Sequence, residues 1–254
     1  MQLENLESKL YRLKKFVSAI AIACMSRQYF FQIIKLIKYS KSQFNQDLYV
    51  ISLFYRKGIE LNKLFFVEFG AADGILHSNT YLIENFGANG ILAEPCKSFH
   101  EALAINRKSI VDKRCVYHVS GDTVLFEEMK SKQLSKIGNV EDSRLKTHTQ
   151  ERMHTYNVTT VSLIDLLTEH SAPLMINYLS IDTEGAELKI LQGFDFFSFK
   201  FDFISVEHNY RSDRKEIHDL ISSHGYKRVH TKLSRCEYWY LRSDFFQKSM
   251  NFGD

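Results

Sequence analysis

The chain has 254 residues, of which 44% are hydrophobic and 25% charged, and its net charge is +3. This composition is that of a globular protein and excludes collagenous, low-complexity and disulfide-rich classes. The four cysteines are scattered without a C-x-x-C pair, which favours free thiols in a reducing compartment over a zinc site or a disulfide framework.

The charge is divided unevenly along the chain. Residues 1–41 contain eight Lys or Arg and two Glu, a net +6, so the remainder carries −3. A nucleic-acid enzyme usually has a basic body as well as a basic segment. We therefore expect no nucleic-acid partner for residues 42–254.

The N-terminal segment has the apolar spacing of an amphipathic helix. Its apolar residues alternate at spacings of three and four: Leu3, Leu6, Leu10, Leu13, Val17, Ile20 and Cys24. A second helix is predicted over residues 29–39. We interpret residues 1–41 as a basic amphipathic helical extension and residues 42–254 as the main domain. The extension could pack on its own domain, form a homo-oligomer through the stripe, or lie on a membrane surface. Its apolar run is too short to span a bilayer.

From residue 43 onward, strand-like and helix-like segments alternate. After a helix that ends at Gly58, the strand candidates are LFFVEFG (64–70), GILAEP (90–95), RCVYHVS (114–120), INYLSID (176–182), FDFISVEH (201–208), YKRVHT (226–231) and EYWYL (237–241). Amphipathic helices separate most of them, which predicts an α/β fold with a mostly parallel sheet. The last two candidates have no helix between them, so we expect an antiparallel hairpin at the sheet edge.

The loops after the first two strands carry the signs of a ligand site. The sequence EFGAADG places Gly70 and Gly74 after Glu68 with the spacing E-x-G-x-x-x-G, so a dinucleotide loop of the G-x-G-x-x-G type fits less well. Glu94 ends the second strand, where an acid can accept hydrogen bonds from both ribose hydroxyls. Together these features indicate an adenosine-containing ligand that needs no phosphate.

Several ordered motifs carry a family resemblance. The segments VEFGAADGILHSNTYLIENFGANGILAEP, VTTVSLIDLL, INYLSIDTEGAELKILQGFDF and ISVEHN, preceded by SQFNQD, resemble the FkbM family of S-adenosylmethionine-dependent methyltransferases. The resemblance covers roughly residues 42–242. It implies a class I Rossmann-like methyltransferase fold and O-methylation of a sugar or glycan hydroxyl. A location in the cytoplasm, or at the inner face of its membrane, is implied as well.

The resemblance also implies which residues bind the cofactor. The expected set is Glu68, Gly70, Ala71, Gly74, Asn79, Thr80, Glu94, Ser120 and Asp182. Glu68 would face the amino-acid end of the cofactor, and Gly70 and Gly74 would let the backbone run beneath its methionine portion. Asn79 and Thr80 would contact its carboxylate, and Ser120 would lie near the adenine.

The acceptor chemistry points to the loops after the fourth and fifth strands. A sugar hydroxyl needs a base or a metal to remove its proton. The candidates there are Asp182, Glu184, Glu207, His208 and Asn209. In one mechanism His208, or an acid beside it, is the general base. In the other, Asp182, Glu207 and Asn209 hold Mg²⁺ or Mn²⁺, which prefer such oxygen ligands.

Two further alternatives stay open. Residues 127–157 mix both charges, so they could form a mobile surface loop or a lid over the acceptor. The fold could also bind S-adenosylmethionine without catalysis, as a scaffold module. A nicotinamide oxidoreductase is disfavoured because the third glycine spacing is missing.

Overall fold

The computed structural model describes residues 2–138 and 151–247, with side chains from residue 8 to residue 245 within these ranges. The helices are α1 (Gln2–Met25), α2 (Phe30–Leu36), α3 (Gln46–Arg56), α4 (Tyr81–Asn85), α5 (His100–Asn106), α6 (Leu163–Glu169), α7 (Glu187–Gln192), α8 (Arg214–Ser223), α9 (Thr231–Ser234) and α10 (Ser243–Gln247). The strands are β1 (Phe65–Phe69), β2 (Asn89–Ala93), β3 (Ile110–Asp112), β4 (Cys115–Tyr117), β5 (Thr123–Met129), β6 (Lys136–Ile137), β7 (Arg152–Ser162), β8 (Met175–Ile181), β9 (Lys200–Glu207), β10 (Tyr226–Val229) and β11 (Glu237–Arg242).

The main sheet has seven strands in the order β10-β11-β9-β8-β1-β2-β3. The strands β3, β2, β1, β8 and β9 are parallel, whereas β11 is antiparallel to both β9 and β10. The strand order reverses beside β1, and ligands bind beyond the carboxyl ends of strands at such a point. This is the mostly parallel, Rossmann-like sheet that the family resemblance implied.

Two details of the sheet differ from the prediction. The third strand of the main sheet is β3, while the candidate RCVYHVS supplies β4 in a second sheet. The short sequence of β3 gave too little apolar signal to be recognised. The C-terminal hairpin is present, but the four-residue helix α9 lies in its connection, and only β10 is at the sheet edge.

The segment predicted as a loop or lid contains regular structure. In the second sheet, of order β4-β7-β5-β6, strands β5 and β7 form a long antiparallel pair. Glu127 and Glu128 in β5, and polar residues in the first half of β7, interrupt the apolar pattern of these strands in the sequence. Residues 139–150 of the predicted segment lie outside the described residues.

Two apolar clusters cover the two faces of the main sheet. One contains Val67 and Phe69 and packs against α6, α7 and α8, and the other contains Phe66 and packs against α1 and α3. Because side chains alternate along a strand, Glu68 shares the face of Phe66. The strand register places it beside Ser180 on β8, so polar residues continue this row across the sheet.

The N-terminal helix packs on the domain, but not through the stripe that the sequence suggested. Ala19, Ile22 and Ala23 of α1 are buried in the cluster that contains α3. Leu10 and Leu13, which belong to the predicted stripe, are 47% and 58% exposed. The periodicity therefore identified the helix and not the face that it buries.

Within the described residues, no single helix has the length and apolar character needed to cross a membrane. One bent pair, Ser8–Met25 with Arg27–Tyr39 at 116°, passes that test on length and composition only.

Candidate active site

A cavity of about 510 Å³ opens at the carboxyl ends of β1, β2, β8 and β9. Its volume is in the range of pockets that bind small molecules and cofactors. Residues after each of these strands line it, and residues 131–137 form a further wall. The described part of the predicted lid thus contributes directly to the cavity.

Gly70 is required where β1 ends against β8. Its φ is +70°, and an added Cβ would lie 2.0 Å from the carbonyl oxygen of Asp182. No side chain fits there, so the glycine brings the loops after β1 and β8 together. Both residues line the cavity. A Rossmann-like cofactor loop needs this close backbone approach.

Glu68 is buried, and its carboxylate accepts hydrogen bonds from the loop that follows β1. It accepts the backbone N–H of Asn79 at 2.7 Å and the hydroxyls of Ser78 and Thr80 at 2.9 and 2.5 Å. Arg107 Nη1 lies 3.4 Å from the same carboxylate. Glu68 therefore holds the loop at residues 78–80 in place, and it also lines the cavity.

Arg107 was not singled out from the sequence. Its side chain is fully buried and forms ion pairs with Glu68 and, at 2.7 Å, with Glu84. The arginine lies one residue beyond α5 in an ordinary amphipathic pattern, so nothing local marked it as buried. Arg107 Nη1 also donates to the carbonyl oxygen of Gly74 at 3.1 Å. Arg107 therefore connects two buried carboxylates to the glycine loop.

Several predicted cofactor contacts lie outside the cavity wall. Gly74 instead gives room to Arg107, whose Cγ would be 2.6 Å from an added Cβ. Ala71 is buried in the apolar cluster beneath α3. Thr80 donates to Glu68, and Ser120 is hydrogen-bonded to Asp165 at the start of α6. Direct cofactor contact by these four residues stays a prediction that their positions do not favour.

Asn79 and Glu94 do line the cavity. Asn79 Nδ2 donates to Ser180 Oγ at 2.9 Å. Glu94 accepts the backbone N–H groups of Ala72 and Cys96 at 2.8 and 2.7 Å. Burial, with the charges of Asp182 and Glu128 acting in the same direction, raises the pKa of Glu94 to about 7. The carboxylate is thus held rigidly at the cavity beside the glycine loop.

Three carboxylates meet on the opposite side of the cavity. The side chains of Asp182, Glu184 and Glu207 each offer an oxygen within 4.8 Å of the others. We call these three residues the acidic cluster. Asn209 Nδ2 donates to Glu207, and this residue also lines the cavity. Carboxylates this close repel one another unless a proton or a cation is held between them.

The backbone around the acidic cluster is held in unusual conformations. Glu184 and Asn209 have φ values of +55° and +42°, in the left-handed region that non-glycine residues seldom occupy. Glu187 fixes the first loop by accepting the N–H of Thr183 at 2.9 Å, and Arg211 from the second loop is paired with Glu187. Such strain persists only when the surroundings enforce it, and it concentrates at functional sites.

His208 lies on the other side of this loop. Side chains alternate, so Glu207 and Asn209 line the cavity while the His208 ring packs against Tyr238 at 4.1 Å between ring centroids. Burial lowers the pKa of His208 to about 4, with the charges of Arg228 and Arg214 acting in the same direction. The imidazole is therefore neutral at pH 7, but it does not face the space where an acceptor would bind.

Among the ionisable side chains that line the cavity, carboxylates predominate. Five carboxylates contribute to it: Glu68, Glu94, Asp182, Glu184 and Glu207. The lining residues that can carry a positive charge are Lys132 and His77. Glu237 lies behind the cluster, and burial together with the charge of Asp182 raises its pKa to about 8. Such a cavity favours a cationic ligand over an anionic one.

A comparison with family models identifies the family of this chain. The model of the "Methyltransferase FkbM domain" matches residues 68–228, more than half of the chain. A search of curated proteins found no match. Among solved structures, the chain is similar to one in the crystal structure of a fibrillarin/Nop5p complex, with a TM-score of 0.36 and 12% identity. That alignment covers 78% of this chain and 81% of the other.

Proposed function

Because the chain belongs to the FkbM methyltransferase family, we propose that it transfers a methyl group from S-adenosylmethionine to a hydroxyl of a sugar or glycan. The observation that carries the proposal is the acid-lined cavity at the carboxyl ends of the parallel strands. S-adenosylmethionine has a sulfonium and an amino group, both cationic, and five carboxylates suit that charge. The anionic pyrophosphate of a nicotinamide dinucleotide would be repelled, so the cavity argues against an oxidoreductase.

The residues beside the glycine loop would hold the cofactor. Glu94 is placed to accept hydrogen bonds from the ribose hydroxyls, and the turn at Gly70 and Ala72 gives the close backbone approach that the ligand needs. Asn79 lines the same wall and offers an amide to the amino-acid end. When bound, S-adenosylmethionine supplies an activated methyl group, so the protein needs only to position the acceptor and remove its proton.

The acidic cluster would receive the acceptor hydroxyl. Glu207 is the favoured general base because it lines the cavity and Asn209 orients its carboxylate. Glu207 would take the proton of the acceptor hydroxyl as the acceptor oxygen displaces the sulfur from the methyl carbon, so that the methyl–sulfur bond breaks and S-adenosylhomocysteine leaves. Asp182 and Glu184 would accept hydrogen bonds from neighbouring hydroxyls. A ligand with several hydroxyls, such as a sugar, satisfies three adjacent carboxylates better than an isolated alcohol does.

A second mechanism rests on the same cluster. Three carboxylates within 4.8 Å of one another have the spacing of ligands to one cation, and oxygen ligands suit Mg²⁺ or Mn²⁺. Asp182 and Glu207 with Asn209 would then bind the metal, which would lower the pKa of the acceptor hydroxyl as a Lewis acid. Glu184 belongs to the set of close carboxylates and is therefore a further candidate ligand beside the predicted Asn209.

Two measurements test the proposal. Calorimetry should show binding of S-adenosylmethionine by the full chain, and Glu94→Ala should weaken it while the exposed control Glu101→Ala should not. Incubation with a panel of sugars and glycans should then produce S-adenosylhomocysteine. Cofactor binding without product from any acceptor would favour the scaffold alternative, and no binding would refute the proposal. A chelator that stops turnover, reversed by Mg²⁺, would favour the metal mechanism.

A further inference from the structure

The outward face of α1 combines exposed apolar and basic side chains. Leu13 and Val17 are 58% and 56% exposed, while the opposite face of the helix is packed on the domain. Lys9 and Lys14 are exposed and flank the apolar stripe on its two sides, as the helical repeat of 3.6 residues requires. We call this surface the basic apolar face.

The adjoining helix α2 also exposes apolar and basic side chains. Phe31 of α2 is 74% exposed, and Lys35, one turn later, is exposed beside it. Residues 8–41 contain eight Lys or Arg and no Asp or Glu. Whatever covers the basic apolar face must therefore be both anionic and apolar.

A second copy of the chain does not satisfy that requirement. A symmetric dimer through α1 would bring two basic surfaces together, and like charges across an interface oppose association. A transmembrane arrangement is also disfavoured. Ala19, Ile22 and Ile33 are buried in the core of the domain, so the bent helix pair could enter a bilayer only by leaving it.

We propose that the basic apolar face binds the surface of an anionic lipid bilayer. Its leucines and valine would enter the boundary between headgroups and acyl chains, and its lysines would contact the anionic headgroups. This inference does not depend on the proposed methyl transfer, because it rests on α1 and α2 alone.

The inner face of α1 connects this surface to the cavity. Tyr11 donates to the carbonyl oxygen of Gln43 at 2.9 Å, and Gln43 lines the cavity. Asn45 Nδ2, two residues later, donates to the carbonyl oxygen of Lys15 at 2.8 Å. A chain bound through α1 would therefore hold the cavity close to the lipid surface.

Flotation of the full chain with vesicles tests the proposal. The chain should float with phosphatidylcholine vesicles that contain phosphatidylglycerol, should not float with phosphatidylcholine alone, and should be released near molar salt. Lys9→Gln with Lys14→Gln should weaken binding roughly 30-fold, since each cation contributes about fivefold. The matched control Lys108→Gln with Lys227→Gln, at exposed positions elsewhere, should bind like the unmodified chain.

A second pair of variants tests the contribution of the exposed apolar side chains to vesicle binding. Leu13→Gln with Val17→Gln should reduce flotation, whereas Ile105→Gln with Phe197→Gln, which also change exposed apolar residues, should not. Circular dichroism checks that each variant is folded. Equal binding to both kinds of vesicle, or absence of binding, would overturn the proposal. So would a dimer, detected by light scattering, that the α1 variants dissociate while vesicles have no effect.

Discussion

Glu68 and Glu207 are both buried, both belong to apolar strands and both line the same cavity, yet their surroundings differ. Glu68 accepts hydrogen bonds from residues 78–80 and is paired with Arg107. Glu207 is oriented by Asn209 and lies among other carboxylates. The first carboxylate is held by hydrogen-bond donors and a cation of its own chain, whereas the second shares its site with the carboxylates of Asp182 and Glu184.

This difference separates a structural carboxylate from a candidate reactive one. Burying a charge is costly unless hydrogen bonds or an opposite charge compensate it. The chain supplies that compensation to Glu68 through a loop and an arginine. At the acidic cluster, a cationic cofactor, a proton from an acceptor or a metal ion would add to the compensation that the chain itself supplies. Substitutions on the two sides should therefore have different consequences.

The largest effect is expected from removing Arg107. Arg107→Ala leaves Glu68 and Glu84 buried without their cation, so the free energy of unfolding should fall by about 3–5 kcal/mol. That is a large fraction of the stability of an ordinary domain. Thermal or denaturant unfolding measures the loss, with Arg27→Ala, at an exposed position, as the control. Unfolding like that of the unmodified chain would show that the ion pairs are not structural.

Glu207→Gln should affect turnover and not stability. The amide has nearly the same shape but cannot accept the acceptor proton, so kcat should fall at least on the order of 100-fold. The melting temperature and the affinity for S-adenosylmethionine should change little. His208→Gln is the informative comparison, since its ring faces away from the cavity. Turnover that is lost in His208→Gln and kept in Glu207→Gln would reverse the assignment of the base.

The sequence identified residues of the cavity wall better than it identified the residues that hold Glu68. Glu94, Gly70 and the acids after β8 and β9 were found because their positions follow from strand ends and loop spacing. Arg107 was missed because its pattern is that of any amphipathic helix. Its burial depends on Glu68 and Glu84, which are far away in the chain. The role of Glu68 could not be separated from cofactor binding without knowing where residues 78–80 fold.

The errors in the fold have related causes. The strands β3 and β5 were missed because one is only three residues long and the other contains two adjacent glutamates, one of them buried. The stripe on α1 predicted a helix correctly, but burial was decided by the smaller residues of the opposite face, such as Ala19 and Ala23. Small residues allow close helix packing yet contribute little to an apolar pattern.

Glu94→Ala should weaken cofactor binding by about 1–3 kcal/mol, the scale of lost charge-assisted hydrogen bonds. Its effect on folding should be smaller. The N–H groups of Ala72 and Cys96 lose their acceptor, but the cost of burying a carboxylate beside Asp182 is removed at the same time. Calorimetry and thermal unfolding of the same sample separate the two effects. Unchanged affinity would show that the ribose hydroxyls bind to another part of the cavity.

The most specific effect, at most about 1.4 kcal/mol per pH unit, is a pH dependence of opposite sign for stability and for binding. The pKa of Glu94 is raised to about 7 in the folded chain, and that of an unfolded glutamate is about 4.3. Between these values the folded state holds a proton that the unfolded state has released. The contribution of Glu94 to the free energy of unfolding therefore falls as the pH rises through this window.

The affinity for the cofactor should instead increase with pH, because the ionised carboxylate of Glu94 is the better acceptor for ribose hydroxyls. Affinity should thus rise as the pH increases toward 7, approaching tenfold per unit well below it, and level off above. Calorimetric titrations at pH 5.5, 6.5, 7.5 and 8.5 measure this profile, and Glu94→Gln should flatten it. Glu68 differs from Glu94 in this respect, since its carboxylate already accepts hydrogen bonds from residues 78–80. A profile that is unchanged in Glu94→Gln would show that another group controls the binding.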